Sequence, residues 1–193
     1  MDGAIGSTRV SLLHAERVDA DRRRRFQALA LPHADSAYNL AIRLARSPEV
    51  AEDIVQDAYV RALAGFDGFR GGDGRAWMLA IVRNRFYDWA RERKLKATAP
   101  LAGADGEDDL DYWDPDQDTP EDALARKDEA LRVRAMVDRL PPRLREVLVL
   151  KEMEELSYRQ IAEVTDAPIG TVMSRLSRAR AMLADAWKRE TAQ

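Results

Sequence analysis

Thr171, Ser174, Arg175 and Arg178 recur at spacings of three, four and seven, which on a helix bring hydroxyls and guanidinium forks to one side. Such groups donate hydrogen bonds to phosphate oxygens, and an arginine fork matches the acceptor edge of guanine. Val172 and Leu176 supply the apolar stripe behind them. In the preceding segment Ile161 and the small Ala162 form an inner face against which a second helix can cross closely. Asp166 is a residue type that tolerates the left-handed conformation, and Pro168 stops the first helix from continuing. Gly170-Thr171 opens the second helix with bare N–H groups, a ready phosphate clamp. The pattern is a helix-turn-helix, and its chemistry is recognition of duplex DNA. Two helices with merely solvated arginines would not need that connector.

Two further constellations lie upstream. Asp53, Gln56 and Asp57 share one helix face, bordered by Glu52 and Tyr59, and a row of carboxylates and an amide suits a partner helix that offers arginines. Between residues 83 and 96, Arg83, Arg85, Arg91, Arg93, Lys94 and Lys96 outnumber Asp88 and Glu92, beside the aromatic residues Trp77, Phe86, Tyr87 and Trp89 and the glycine-rich stretch 65–74. Cations track phosphates while aromatic faces and pockets hold unstacked bases, so this combination fits single-stranded nucleic acid. Trp77, Ile81 and Phe86, large and apolar at helical spacing, are expected in the core.

The elements that must position these groups are helical. With 193 residues, 46% hydrophobic and 34% charged, the chain has room for one or two modest cores under heavily solvated helix faces. The formal net charge of -3 hides a segregation: residues 105–122 carry acids without a base, while the segments on either side are cationic. Two basic modules flanking an acidic connector suit a grip on a polyanion from which the connector is repelled. The absence of cysteine excludes disulfides, zinc knuckles and thiol chemistry and suits a cytoplasmic protein. No apolar run is long enough for membrane insertion, and the beginning of the chain lacks a signal-peptide layout.

Read along its length, the chain divides into four parts. Residues 1–25 form a leader expected to be loosely ordered, with a charge run at Arg22 to Arg25. Residues 26–95 form a first helical domain, in which Pro32 interrupts an early helix, Ser47-Pro48-Glu49 caps another, and a long helix follows the glycines from about Arg75. Residues 96–123 compose a flexible acidic linker. Residues 124–190 form a second domain that breaks at Leu140-Pro141-Pro142 and ends in the helix-turn-helix. The fold class is all-α, two small helical domains joined by that linker.

Three segments, in this order, carry a family resemblance: Ala51-Glu52-Asp53-Ile54-Val55-Gln56-Asp57-Ala58-Tyr59, then Ala76-Trp77-Met78-Leu79-Ala80-Ile81-Val82-Arg83-Asn84, then Leu140-Pro141-Pro142-Arg143-Leu144-Arg145-Glu146-Val147-Leu148 leading into Gly170-Thr171-Val172-Met173-Ser174-Arg175. The chain resembles an extracytoplasmic-function (ECF) sigma factor, the compact two-domain form of the sigma-70 family. The resemblance implies that Asp53, Gln56 and Asp57 dock on core RNA polymerase, chiefly its beta-prime subunit, with the beta subunit as a further partner. It places the loop from Phe69 to Arg75, with Asn84, Asp88 and Arg91, at the downstream (-10) promoter element, where a flipped base is captured. Gly170, Thr171, Ser174, Arg175 and Arg178, with Tyr158 and Arg159 contributing, fall at the upstream (-35) element. Met173 stands where a longer cation would fit. Arg143 and Arg145 are expected either to touch phosphate or to be solvated. The resemblance also implies an anti-sigma factor as partner.

No catalytic constellation, metal-ligand spacing or cofactor motif is apparent, and His14 and His33 stand without partners in the sequence. Two other readings remain open at this level. A helix-turn-helix activator would bind duplex DNA alone, without needing the Asp53/Gln56/Asp57 face. A metal-dependent nuclease or recombinase would use the acids between Asp105 and Asp118.

Overall fold

Ser47 and Pro48 show how local sequence sets the first helices. In the computed structural model, which describes residues 19–97 and 129–191, the Ser47 hydroxyl accepts a hydrogen bond from the Val50 N–H at 3.4 Å, and Pro48 occupies the first turn, where no intrahelical donor is needed. Helix α3, Pro48–Ala64, starts there. Before it, α1 spans 19–30, Pro32 turns the chain through the 3-10 segment Leu31–His33, and α2 runs over Ala34–Ala45. Arg46 ends α2 in the left-handed conformation, φ 59°, with its N–H returned to the Ile42 carbonyl.

Helix α1 is already formed at residue 19, inside the span expected to be a loose leader. The reason is tertiary: Arg22 donates to the Asp67 carboxylate at 2.9 Å and to the Leu63 carbonyl at 2.6 Å, tying the start of α1 to the end of α3. Local periodicity carries no sign of that tie.

After a 3-10 turn at Phe66–Gly68, Gly71 and Gly72 adopt φ of +92° and +110°, which only glycine reaches without strain. The chain then enters α4, Gly74–Ala97, whose first N–H groups, of Arg75 and Ala76, donate to the Asp73 carboxylate at 2.9 and 3.2 Å. The C-terminal unit contains α5, Glu129–Asp138; α6, Pro142–Glu152; α7, Tyr158–Thr165; and α8, Ile169–Thr191. Among the described residues there is no strand, and no helix is long and apolar enough to cross a membrane. The start expected for the second domain and the acids between Asp105 and Asp118 lie outside the described residues.

Leu40, Leu44, Ile54, Leu79 and Val82 fill the space between α2, α3 and α4; Val147, Leu150, Ile161, Val164, Val172 and Leu176 do so between α6, α7 and α8. These two sets are not separate: α2 packs on α6 and α4 on α7, so one buried cluster runs through both units. A satellite cluster of Phe26, Ala30, Ala62, Phe66 and Met78 lies beneath the glycine-rich loop, with Phe69 and Trp77 at its edge. Of the expected core residues, Phe86 is buried, while Trp77 and Ile81 pack half-buried against the clusters.

Candidate nucleic-acid interface

The helix-turn-helix is built by local rules. Ser157 and Gln160 form a capping box at the start of α7, the Ser157 N–H donating to the Gln160 side-chain oxygen at 2.8 Å and the Gln160 N–H to the Ser157 hydroxyl at 3.3 Å. Asp166 ends α7 in the left-handed region at φ 48°, as its residue type predicts. Ile161 and Val164 then meet Val172, Leu176 and Ala179 in a dry seam. On the outer side of α8, Gly170, Ser174 and Arg178 are exposed and Thr171 is half-buried, with the Ser174 hydroxyl donating to the Thr171 carbonyl at 2.9 Å. Met173 is exposed beside them. Tyr158 is half-buried under the Lys151 ammonium, which lies 5.4 Å from its ring centre, and Arg159 is exposed.

Arg175 is placed differently from its neighbours. Its side chain is only 18% exposed and its Nη1 lies 3.8 Å from the Glu146 carboxylate, so it stands between the outer face and the core. Arg145 departs furthest from expectation. It neither reaches phosphate nor is solvated: it is fully buried, donating to the Leu140 carbonyl at 2.8 Å and to the Arg43 and Leu44 carbonyls at 2.8 and 3.3 Å. A cation against the last carbonyls of α2 completes that helix end. Burial pulls the Arg145 guanidinium down to about 10, against the pull of Asp138 in the opposite direction. Arg143 sits over the Tyr87 ring, 5.8 Å from its centre.

Beside α7 the glycine-rich loop walls an open cavity of about 340 Å³, lined by Gly68, Phe69, Arg70, Gly71, Gly72, Asp73, Ala76, Trp77, Ala80 and Glu163. Phe69 lies 4.9 Å from Trp77, centre to centre, which gives the cavity an aromatic wall. Arg75 donates to the Ser36 hydroxyl at 3.1 Å and is ion-paired with Glu154. Asn84, Asp88 and Arg91 follow along one face of α4, Asn84 nine residues beyond Arg75 and so about 14 Å further on. Asn84 accepts from Arg83 at 3.1 Å, and Asp88 pairs with Arg61 at 3.1 Å and with the exposed Arg91 at 3.4 Å. On α3, Asp53 and Gln56 are exposed, with Val60 one turn further on; Asp57 is already engaged by Arg61 at 3.1 Å and by Arg85.

The groups that sequence reasoning missed are buried acids. Glu146 is wholly enclosed, accepting from the Tyr87 hydroxyl at 2.7 Å and from Arg83 Nε at 3.1 Å, with Arg175 on its other oxygen. Burial raises its pKa, and Arg83, Tyr87 and Arg175 only partly offset that; Tyr87 is itself raised well above the usual range by burial and by Glu146. Glu154, also buried, takes Arg75. Gln160 donates to Asp73 at 2.5 Å. Asp73 is partly desolvated, which acts to raise its pKa, but the hydrogen bonds from Gln160, Ala76 and Arg75 bring it below the usual range. The one signal in the sequence was position: Glu146 lies four residues before Leu150 and shares its inward face.

These regions coincide with known family units. Residues 29–95 match the model for sigma-70 region 2, and residues 130–183 match that for sigma-70 region 4. The RNA polymerase sigma-H factor of Pseudomonas aeruginosa is 32% identical over 86% of this chain and 87% of its own length. The ECF RNA polymerase sigma factor SigW of Bacillus subtilis is 32% identical over 78% of this chain and 82% of its own length. The chain belongs to the ECF sigma factors. The ECF RNA polymerase sigma factor SigE of Mycolicibacterium smegmatis is likewise 32% identical, over 81% of this chain, which spans 59% of that relative's length. The ECF sigma fold is also recognisable in a solved complex, the sigma factor RpoE with the anti-sigma factor NepR from Bartonella quintana, at 26% identity and a TM-score of 0.66, covering 86% of this chain and 98% of that one. ECF sigma factors are DNA-binding factors of transcription initiation, which separates this chain from the nuclease reading and from the duplex-only activator.

Proposed function

We propose that this ECF sigma factor directs core RNA polymerase to its promoters by dividing the work between two modules of about residues 26–95 and 124–190. The first docks on the polymerase through Asp53, Gln56 and the adjoining part of α3, and holds a base of the melted -10 element in the cavity between Phe69 and Trp77, with Asn84, Asp88 and Arg91 beside the strand. The second places the N-terminus of α8 in the major groove of the -35 element. Thr171, Ser174 and Arg178 reach outward there, with Tyr158 and Arg159 at the entrance and Arg175 braced from behind. The observation that carries the reading is the presence, in one chain and in family order, of an aromatic-walled cavity beside a glycine-rich loop and a helix-turn-helix with a polar outer face. By analogy with the sigma factor RpoE, whose structure is a complex with NepR, an anti-sigma factor controls this one. It acts in the cytoplasm, on the polymerase there.

Run-off transcription from a library of promoter fragments, with purified core polymerase, tests the proposal. Discrete start sites that depend on the chain are expected; no stimulation, with duplex DNA still bound by the chain alone, would return it to the activator class. In the same assay the double substitution Asp53→Ala and Gln56→Ala is expected to weaken core binding by about tenfold or more while leaving duplex binding by the C-terminal unit unchanged. Unaltered core affinity would demote that face to a solvated helix surface.

A further inference from the structure

In its first two turns, residues 169–176, helix α8 carries a single charged side chain, Arg175, and Glu146 draws that one inward at 3.8 Å. The tip proposed to enter the groove therefore offers hydroxyls and hydrocarbon rather than cations. Val172 and Leu176 are buried in the seam with α7. Ile169 and Met173 are not: they are 46% and 53% exposed and belong to neither buried cluster. A spacing of four puts them side by side, as one apolar ridge on the rim of the outer face, with Gly170 and Ser174 next to it. Gly170 is exposed, a Cβ there would meet nothing within 4 Å, and it is not among the glycines with positive φ. Neither packing nor backbone conformation asks for a glycine at that point, although alanine would suit a helix better. The space it leaves is open to a partner.

In the major groove the base edges present polar donors and acceptors, and the one hydrocarbon group among them is the 5-methyl of thymine. We infer that Met173 is a specificity-determining residue: with Ile169 beside it, its thioether seats the 5-methyl group of a thymine in the upstream element, and Gly170 leaves clearance for that base edge. The inference rests on the reading of α8 as the groove helix and adds the base pair that it selects at this step, A·T. The ridge adjoins the outer face that carries Ser174 and Arg178, so it meets the same partner as they do. An unbranched thioether adapts its shape to a small apolar target. A cytosine at the same place would offer a hydrogen instead of the methyl, and its amino group would face hydrocarbon without an acceptor. The ridge thus favours thymine both by what it buries and by what it leaves unpaired.

Deoxyuridine differs from thymidine by that methyl group alone, which makes the contact directly measurable. Competition binding is carried out with the full chain on core polymerase and a promoter fragment obtained by run-off selection. Each thymine of the upstream element is replaced in turn by deoxyuridine, on either strand. One replacement is expected to weaken binding about fourfold, the factor for withdrawing one methyl-sized apolar group from a buried contact. Met173→Ala should bind the thymidine and deoxyuridine forms equally while keeping the wild-type thermal midpoint, because the side chain lies outside the core. Gly170→Ala should weaken binding without lowering the midpoint, since the added methyl meets nothing within the chain; equal binding by that variant would overturn the close approach on which the contact depends. An upstream element without thymine, no response to any deoxyuridine, or a full response retained by Met173→Ala would each overturn the methyl contact. A transcription defect in Met173→Ala with the methyl response intact would assign the ridge to a protein partner and overturn it as well. Scrambling the whole upstream element separates the two levels. If scrambling changes nothing, the groove reading of α8 falls and the contact with it; if scrambling weakens binding but no deoxyuridine does, the contact alone falls.

Discussion

Replacing Glu146 with alanine is expected to lower the stability of the folded chain by about 3–5 kcal/mol, because it leaves charges and a hydroxyl inside without their partner. Arg83 and Arg175 are 12% and 18% exposed, too little for water to take the place of the carboxylate, and the Tyr87 hydroxyl is buried with them. For a chain of this size the midpoint of thermal unfolding should fall by roughly 6–20 °C. Glu146→Gln should cost less, about 1–2 kcal/mol, since an amide oxygen still accepts from Tyr87 and Arg83. The pH dependence separates the two roles of the group. Its folded-state pKa is raised, chiefly by burial, so the folded chain holds that proton more tightly than the unfolded chain does. Its ionisation therefore subtracts stability as pH climbs from the ordinary glutamate value to the raised one, and the glutamine variant should lose that slope. Urea titrations between pH 4 and 8 measure it. A wild-type curve no steeper than that of the variant would mean that Arg83 and Arg175 compensate the buried charge in full.

Glu146 also marks the boundary of what residue types alone reveal. Elements governed by neighbours in sequence were legible: Ser47 before Pro48, the glycines before α4, and Asp166 between α7 and α8 each impose a local backbone preference that nothing distant overrides. The helix-turn-helix seam of Ile161, Val172 and Leu176 follows from periodicity in the same way. The contact between the two units was not legible, because its members are charged residues whose partners lie far along the chain. Arg83 and Tyr87 are 63 and 59 residues from Glu146, Arg75 is 79 from Glu154, and Gln160 is 87 from Asp73. An arginine or glutamate on a helix is exposed by default, and only the assembled core shows which ones have been enclosed. That default is why Arg145 is expected from sequence to touch phosphate or to be solvated, although it serves as the cap of α2.

The same distinction divides the two arginines of α8, and substituting each in turn should separate them. Arg178 is exposed on the outer face with Ser174, and among the described residues it has no hydrogen bond or ion pair. Arg178→Ala should leave thermal stability unchanged within about 0.5 kcal/mol, the usual range for surface sites. If its fork reads a guanine, output from promoters that depend on the upstream element should fall by about 1–3 kcal/mol of discrimination, with selectivity lost at one base pair. If it holds a phosphate, binding should weaken evenly across sequences and the salt dependence should become shallower by about one. Arg175→Ala should behave otherwise. The Nη1 of Arg175 is buried, without a hydrogen bond, 3.8 Å from a carboxylate oxygen of Glu146 that also lacks one, so the pair is held by charge. Its removal deepens the burial penalty on Glu146 and should cost about 1–3 kcal/mol of stability. Promoter output should then fall together with the thermal midpoint, since Glu146 and Arg175 join α6 to the helix proposed to enter the groove. Combining Arg175→Ala with Glu146→Gln should recover part of the stability, because the amide no longer needs a cation. If Arg175→Ala instead abolished upstream-element use at full stability, the side chain would have to swing out from Glu146 to meet DNA, and the ion pair would be only its resting place.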